Sequence, residues 1–164
     1  MSLAATGGHT IPADDSHDIR PLSLSARIAI ALHLFQGYCN RRGLDHLEIE
    51  RFVEHLWEFI ALPAGGGGFE DWKKREPPLT YVGLGDDIPP EFDSVLRAAG
   101  VSASEFRQVL SCTTEVLYST MYGAADEEGS RQYLSDLARI AESVGAEWPS
   151  MSCFSESKWS DCHG

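Results

Sequence analysis

No stretch of the sequence is apolar over the ~18 residues that a membrane-spanning helix needs, and no bilayer span is expected. The first residues lack a basic segment followed by an apolar one, the pattern of a secretory signal. The expected compartment is therefore the cytoplasm, with thiols reduced. Basic side chains are scarce. Thirteen Lys and Arg stand against 25 Asp and Glu, giving a formal net charge of -12. Such a surface repels nucleic acid and anionic membranes, so neither is an expected partner. Cysteine occurs only at positions 39, 112, 153 and 162. None of these forms a C-x-x-C pair, which argues against a structural zinc site. Cys39 and Cys112 fall in helical patterns and read as small buried residues. Cys153 and Cys162 lie in a polar tail, and whether they pair is open.

Catalytic signatures are missing as well. The Gly65–Gly68 run is not followed by Lys-Ser or Lys-Thr, and Gly83-Leu84-Gly85 is too short for a dinucleotide loop. There is no H-E-x-x-H and no E-x-x-H pair of the di-iron type. His46 and Glu50 stand one helical turn apart but lack further ligands. No G-x-S-x-G elbow occurs, and Ser111 and Cys112 sit in mid-helix. No cofactor or metal is expected.

What remains is helical periodicity. The 164 residues are 43% hydrophobic, which fits one globular domain. Residues 1–20 read as a flexible arm and residues 21–164 as a single helical domain. A first helix is expected from about Ser23 or Ser25 to Asn40. Ile28, Leu32, Phe35 and Cys39 form one apolar stripe and Ile30, Leu34 and Tyr38 a second. The polar strip left at His33, Gln36 and Asn40 is narrow, as in a central helix, and makes His33 a hydrogen-bonded core histidine. Arg41, Arg42 and Gly43 supply its stop. A second helix begins at an Asp45 cap with Glu48 three residues on, then carries Ile49, Phe52, Val53, Leu56 and Ile60. Phe69 to Arg75 suggests a short helix. Leu79 to Asp87 is ambiguous, with an extended course open. Pro89-Pro90 opens a helix to Ala99, Ser102 and Glu105 box the next, and a last one spans about Ser130 to Val144. The expected fold is all-α, a compact bundle of about five helices with irregular loops and an irregular C-terminal strap. Phe35, Leu56, Leu110 and Leu137 are its expected core, and Trp148 and Trp159 the anchors of the strap.

Three features suit recognition of a partner. Glu50, Glu54 and Glu58 make a ladder at i, i+4, i+8, where like charges repel by about 0.2–0.5 kcal/mol per pair. Either cations from another helix offset that repulsion or a partner supplies them. Asp86-Asp87 and Asp126-Glu127-Glu128 fill two loops, which suits either helix capping or a basic protein. Trp72, Trp148 and Trp159 lie in or beside irregular segments, as packing anchors or interface hot spots.

In length, acidity, lack of an enzyme motif and a helical body with a Trp-bearing tail, the chain resembles the small acidic immunity proteins that bacteria use against their own polymorphic toxins. The resemblance implies binding of a cognate toxin with occlusion of its active site. The expectation is a non-enzymatic protein that binds a basic protein through Glu50, Glu54, Glu58, Asp86, Asp87, Asp126, Glu127, Glu128 and Trp159. The alternatives are a small helical enzyme, with His33, Glu115, Tyr118 and Tyr122 the residues to inspect, or a self-associating module. The oligomeric state is open.

Overall fold

A computed structural model describes residues 17–121 and 126–154. These residues are helical, with no strand among them, in the order α1 (Leu24–Arg42), α2 (Leu47–Ile60), α3 (Phe69–Lys74), α4 (Pro78–Gly83), α5 (Pro90–Ala98), α6 (Ala103–Met121) and α7 (Glu127–Ser143), followed by a 3-10 turn at Met151–Phe154. Seven helices therefore stand among the described residues where about five were expected, two of them six residues long.

α1 starts at a Ser23 cap, whose hydroxyl accepts the Ala26 N–H at 3.2 Å, and stops at Gly43, the residue that tolerates the left-handed φ of 68° there. Both apolar stripes are buried, and α1 packs on α2, α6 and α7. His33 is exposed on the outer strip, which corrects its reading as a core histidine. The second cap is also corrected. Asp45 is exposed, and His46 occupies the N-cap, its Nδ1 accepting the Glu48 N–H at 3.1 Å while its ring meets the edge of Phe92. Ser102 accepts the Glu105 N–H at 3.1 Å as expected. The Glu105 carboxylate does not turn back to the cap; it accepts from Tyr38 at 2.8 Å and Arg42 at 2.6 Å, tying α6 to α1.

The ambiguous stretch from Leu79 to Asp87 is helical as far as Gly83 and then turns, with Asp86 and Asp87 in no regular element. Pro78 supplies a preset φ in the first turn, and Leu79, Thr80 and Val82 are buried where α4 lies on α6. The approach is close because Gly83 lacks a side chain. A Cβ there would come within 2.2 Å of Thr114 Oγ1 and 3.0 Å of the Leu110 carbonyl. Gly83→Ala is therefore expected to lower stability by about 1–3 kcal/mol despite its better helix propensity. Urea denaturation measures this, and a stabilised variant would contradict the packing.

α7 begins three residues before the expected start, because the preceding acidic run is part of it. Phe35, Leu56, Leu110 and Leu137 are all fully buried, and Cys39 and Cys112 are buried free thiols. Burial pushes these thiols up to about 12 and about 11, so neither is a ready nucleophile at neutral pH. Beyond Gly145, Trp148, Met151 and Phe154 pack on the core. Trp148 stacks on His17 at 4.4 Å and donates to Glu142. Trp159 and the Cys153–Cys162 question fall outside what is described.

Candidate functional site

The apolar positions of α2 (Ile49, Phe52, Val53 and Leu56) turn inward, which leaves Glu50, Glu54 and Glu58 on an exposed ridge. Leu47 lies three residues before Glu50 and extends this face; it is 53% exposed, the most open of the large apolar side chains described. A groove runs along each side. One, of about 290 Å³ between α1 and α2, is lined by Gln36, Asn40, Asp45, His46, Glu50 and Glu54. The other, of about 330 Å³, separates α2 from the 75–78 segment and is lined by Arg51, Glu54, His55, Glu58 and Arg75. Glu54 borders both.

The ladder's repulsion is offset at one rung only. Arg75 Nη1 lies 2.8 Å from Glu58 Oε2, whereas Glu50 and Glu54 have no ion pair among the described residues. The other acidic candidates are placed differently. Asp86 and Asp87 are exposed after α4, Asp87 being 3.3 Å from Arg107. The run at 126–128 has structural work. Asp126 caps α7, accepting the Gly129 N–H at 2.7 Å. Glu127 is the counter-ion of Arg27, whose side chain is only 1% exposed. Glu128 lies 3.9 Å from Arg131. Within this run Glu127, set beside the buried Arg27, is the carboxylate most closely tied to the fold.

Behind the second groove sits a polar cluster centred on Trp72. The indole is fully buried, stacks on His55 at 4.3 Å and donates to the His55 carbonyl at 2.7 Å. Below it Glu76 accepts from Lys73 at 2.5 Å and from the Tyr118 hydroxyl, and Lys73 lies over the Tyr118 ring. Burial works to raise the Glu76 pKa, but these hydrogen bonds outweigh it and hold the carboxyl below its usual range. Burial pushes His55 down to about 4, so its imidazole is neutral at pH 7. Sequence reading passed over His55, although its spacing from Phe52 and Phe59 already put a polar residue on the buried face.

Among the described residues, those named for an enzyme form no common site. Tyr118 is committed to Glu76, His33 is exposed on α1, and Glu115 is half-buried, burial alone pushing its carboxyl up. Tyr122 lies outside the described residues. No trio of His, Cys, Asp or Glu is placed to hold a metal ion among the described residues, and no helix among them is long and apolar enough to cross a membrane. Comparison of the chain with protein-family models, with curated proteins and with solved structures found no match.

Proposed function

We propose that this is a non-enzymatic protein that binds a basic protein partner through the α2 ridge, in the manner of an immunity protein occluding a toxin. One observation carries the reading. Glu50 and Glu54 stand exposed between two grooves, with no ion pair to either among the described residues, next to an exposed Leu47. A net charge of -12 steers a cationic partner over a distance screened at about 8 Å in physiological salt. The grooves and the leucine then offer contact area for shape recognition. Asp86 and Asp87 add to the field from the neighbouring α4 end.

The partner is to be recovered with the protein as bait and its association rate measured against salt. Association should slow as salt rises while dissociation changes less. Glu50→Lys with Glu54→Lys should slow association by about tenfold and leave the melting temperature unchanged, because both carboxylates are exposed. An acidic partner, or a rate indifferent to salt and to this double reversal, contradicts the proposal. Relief of the partner's toxicity on co-expression tests the immunity reading itself.

A further inference from the structure

α3 is thinly anchored. Its six residues make less than two turns, too few to hold by their own hydrogen bonds. The helix packs chiefly on α2, and Trp72 is its one buried residue. Gly65 to Gly68 precede it without side chains to restrain the turn, and Pro77-Pro78 follow it. Arg75 adds an exposed ion pair to Glu58, which contributes little. Glu76, beside the prolines, is bonded to Tyr118 of α6.

The seat of Trp72 is a histidine that resists charge. The two rings stack with centroids 4.3 Å apart, and the indole N–H donates to the His55 carbonyl at 2.7 Å. His55 is buried, and its Nε2 has no hydrogen-bond partner among the described residues. An imidazolium donates from both nitrogens. With no acceptor at Nε2, a charged ring is tolerated only where water reaches it. The neighbouring charges are engaged with one another. Glu58 of α2 is paired with Arg75, and Glu76 is held by Lys73, by Tyr118 of α6 and by Tyr81 of α4. Arg51 and Glu54, one of each sign, line the groove outside. Burial outweighs all of these in setting the low proton affinity of the ring.

We propose that residues 65–75 form an acid-operated flap: when His55 takes up a proton, Trp72 leaves its seat and α3 swings off α2 while α1, α6 and α7 stay packed. The glycine run and Pro77-Pro78 are the two ends about which the flap moves. Lifting it hydrates the imidazolium. It also withdraws Phe69 from the apolar cleft of about 510 Å³ that Leu24, Phe59, Ile60 and Met121 complete. Acid thereby opens an apolar surface that the flap narrows at neutral pH.

The test is hydrogen exchange of the Trp72 indole N–H in the full chain, followed by NMR at pH 6.5, 5.5 and 4.5 and corrected for the intrinsic rate at each pH. This hydrogen lies in the bond to the His55 carbonyl and is released when the flap lifts. Its opening constant should rise about fortyfold from pH 6.5 to 4.5, the ratio set by the proton affinities of the hydrated and the buried ring. At every pH it should exceed the opening constants of the Leu110 and Leu117 amides in α6 by at least about tenfold, the mark of an opening smaller than unfolding. Equal constants would show that Trp72 leaves only when the whole protein unfolds, and an indole indifferent to pH would show that no proton drives it; either overturns the proposal. His33→Gln, on the exposed strip of α1, should keep the wild-type dependence. His55→Gln should abolish it, and a folded His55→Gln variant that keeps the rise assigns the trigger to another group and overturns the flap. Should that variant not fold, the two wild-type comparisons decide.

Discussion

Glu127→Lys is expected to destabilise the protein by about 3 kcal/mol or more, the scale of breaking a buried ion pair from one side. The reason lies with its partner. Arg27 projects from the first turn of α1 into the seam with α7, where it donates to the Leu22 carbonyl at 2.8 Å, to Ser130 Oγ at 3.1 Å and to the Glu127 carboxylate. The Ser130 hydroxyl in turn donates to the Val116 carbonyl at 2.6 Å, so α1, α6 and α7 meet at this point. The guanidinium is 1% exposed while Glu127 is 49% exposed, so the loss falls on the arginine, which cannot rehydrate. Reversal also sets a like charge against it. Glu128→Lys, one residue on, is the control. Its carboxylate is 88% exposed and 3.9 Å from its cation, and reversal should cost no more than about 0.5 kcal/mol. Urea denaturation of the two variants reads the difference, and equal losses would show that Arg27 does not depend on Glu127. Replacing Arg27 by Met together with Glu127 by Gln should recover much of the loss, because no unpaired charge is then buried.

Acidification should produce a loss of similar size from a single histidine. The His55 pKa falls from an ordinary 6.5 to about 4 because burial penalises the imidazolium, opposed by the carboxylates of Glu76 and Glu58 and assisted by Arg75 and Lys73. Between these values the unfolded chain binds the proton more readily than the native one, so stability rises with pH. The contribution is complete above about pH 6.5 and is lost as pH falls towards 4, reaching about 3 kcal/mol. Glu76 acts in the same direction but lower on the scale, since its depressed carboxyl loses its contribution only below its ordinary 4.5. Unfolding free energies measured from pH 4 to 8 should therefore slope between 4 and 6.5, and His55→Gln should flatten that interval whatever it does to absolute stability. An unchanged slope in the variant would assign the acid sensitivity elsewhere.

The longer helices were legible because their burial repeats every 3.6 residues and their ends carry local signals: Ser23 and Gly43 on α1, Pro89-Pro90 at the start of α5, Ser102 before α6. α4 was not, because six residues give less than two turns of pattern and its driving contact, Gly83 against Thr114, joins distant parts of the chain. The same holds for α7. Asp126 to Glu128 look like a loop until Arg27, a hundred positions earlier, explains why Glu127 is helical and held against α1. At the candidate site the carboxylate ladder could be read from spacing alone. The two grooves beside it could not, since their walls come from α1 and from the 75–78 segment.

The burial of α1 on nearly all sides has a consequence for how the protein is made. Its partners α6 and α7 are encoded far downstream, with Arg27 and Glu127 separated by 100 residues. At about 5–20 residues per second, a ribosome takes roughly 5–20 s to cover that distance. Throughout that interval Ile30, Leu32 and Leu34 have emerged without the surfaces that later enclose them. The nascent chain is then a ready substrate for chaperones that hold apolar segments. Slow codons placed between α2 and α6 would lengthen that exposure and lower the yield of folded protein.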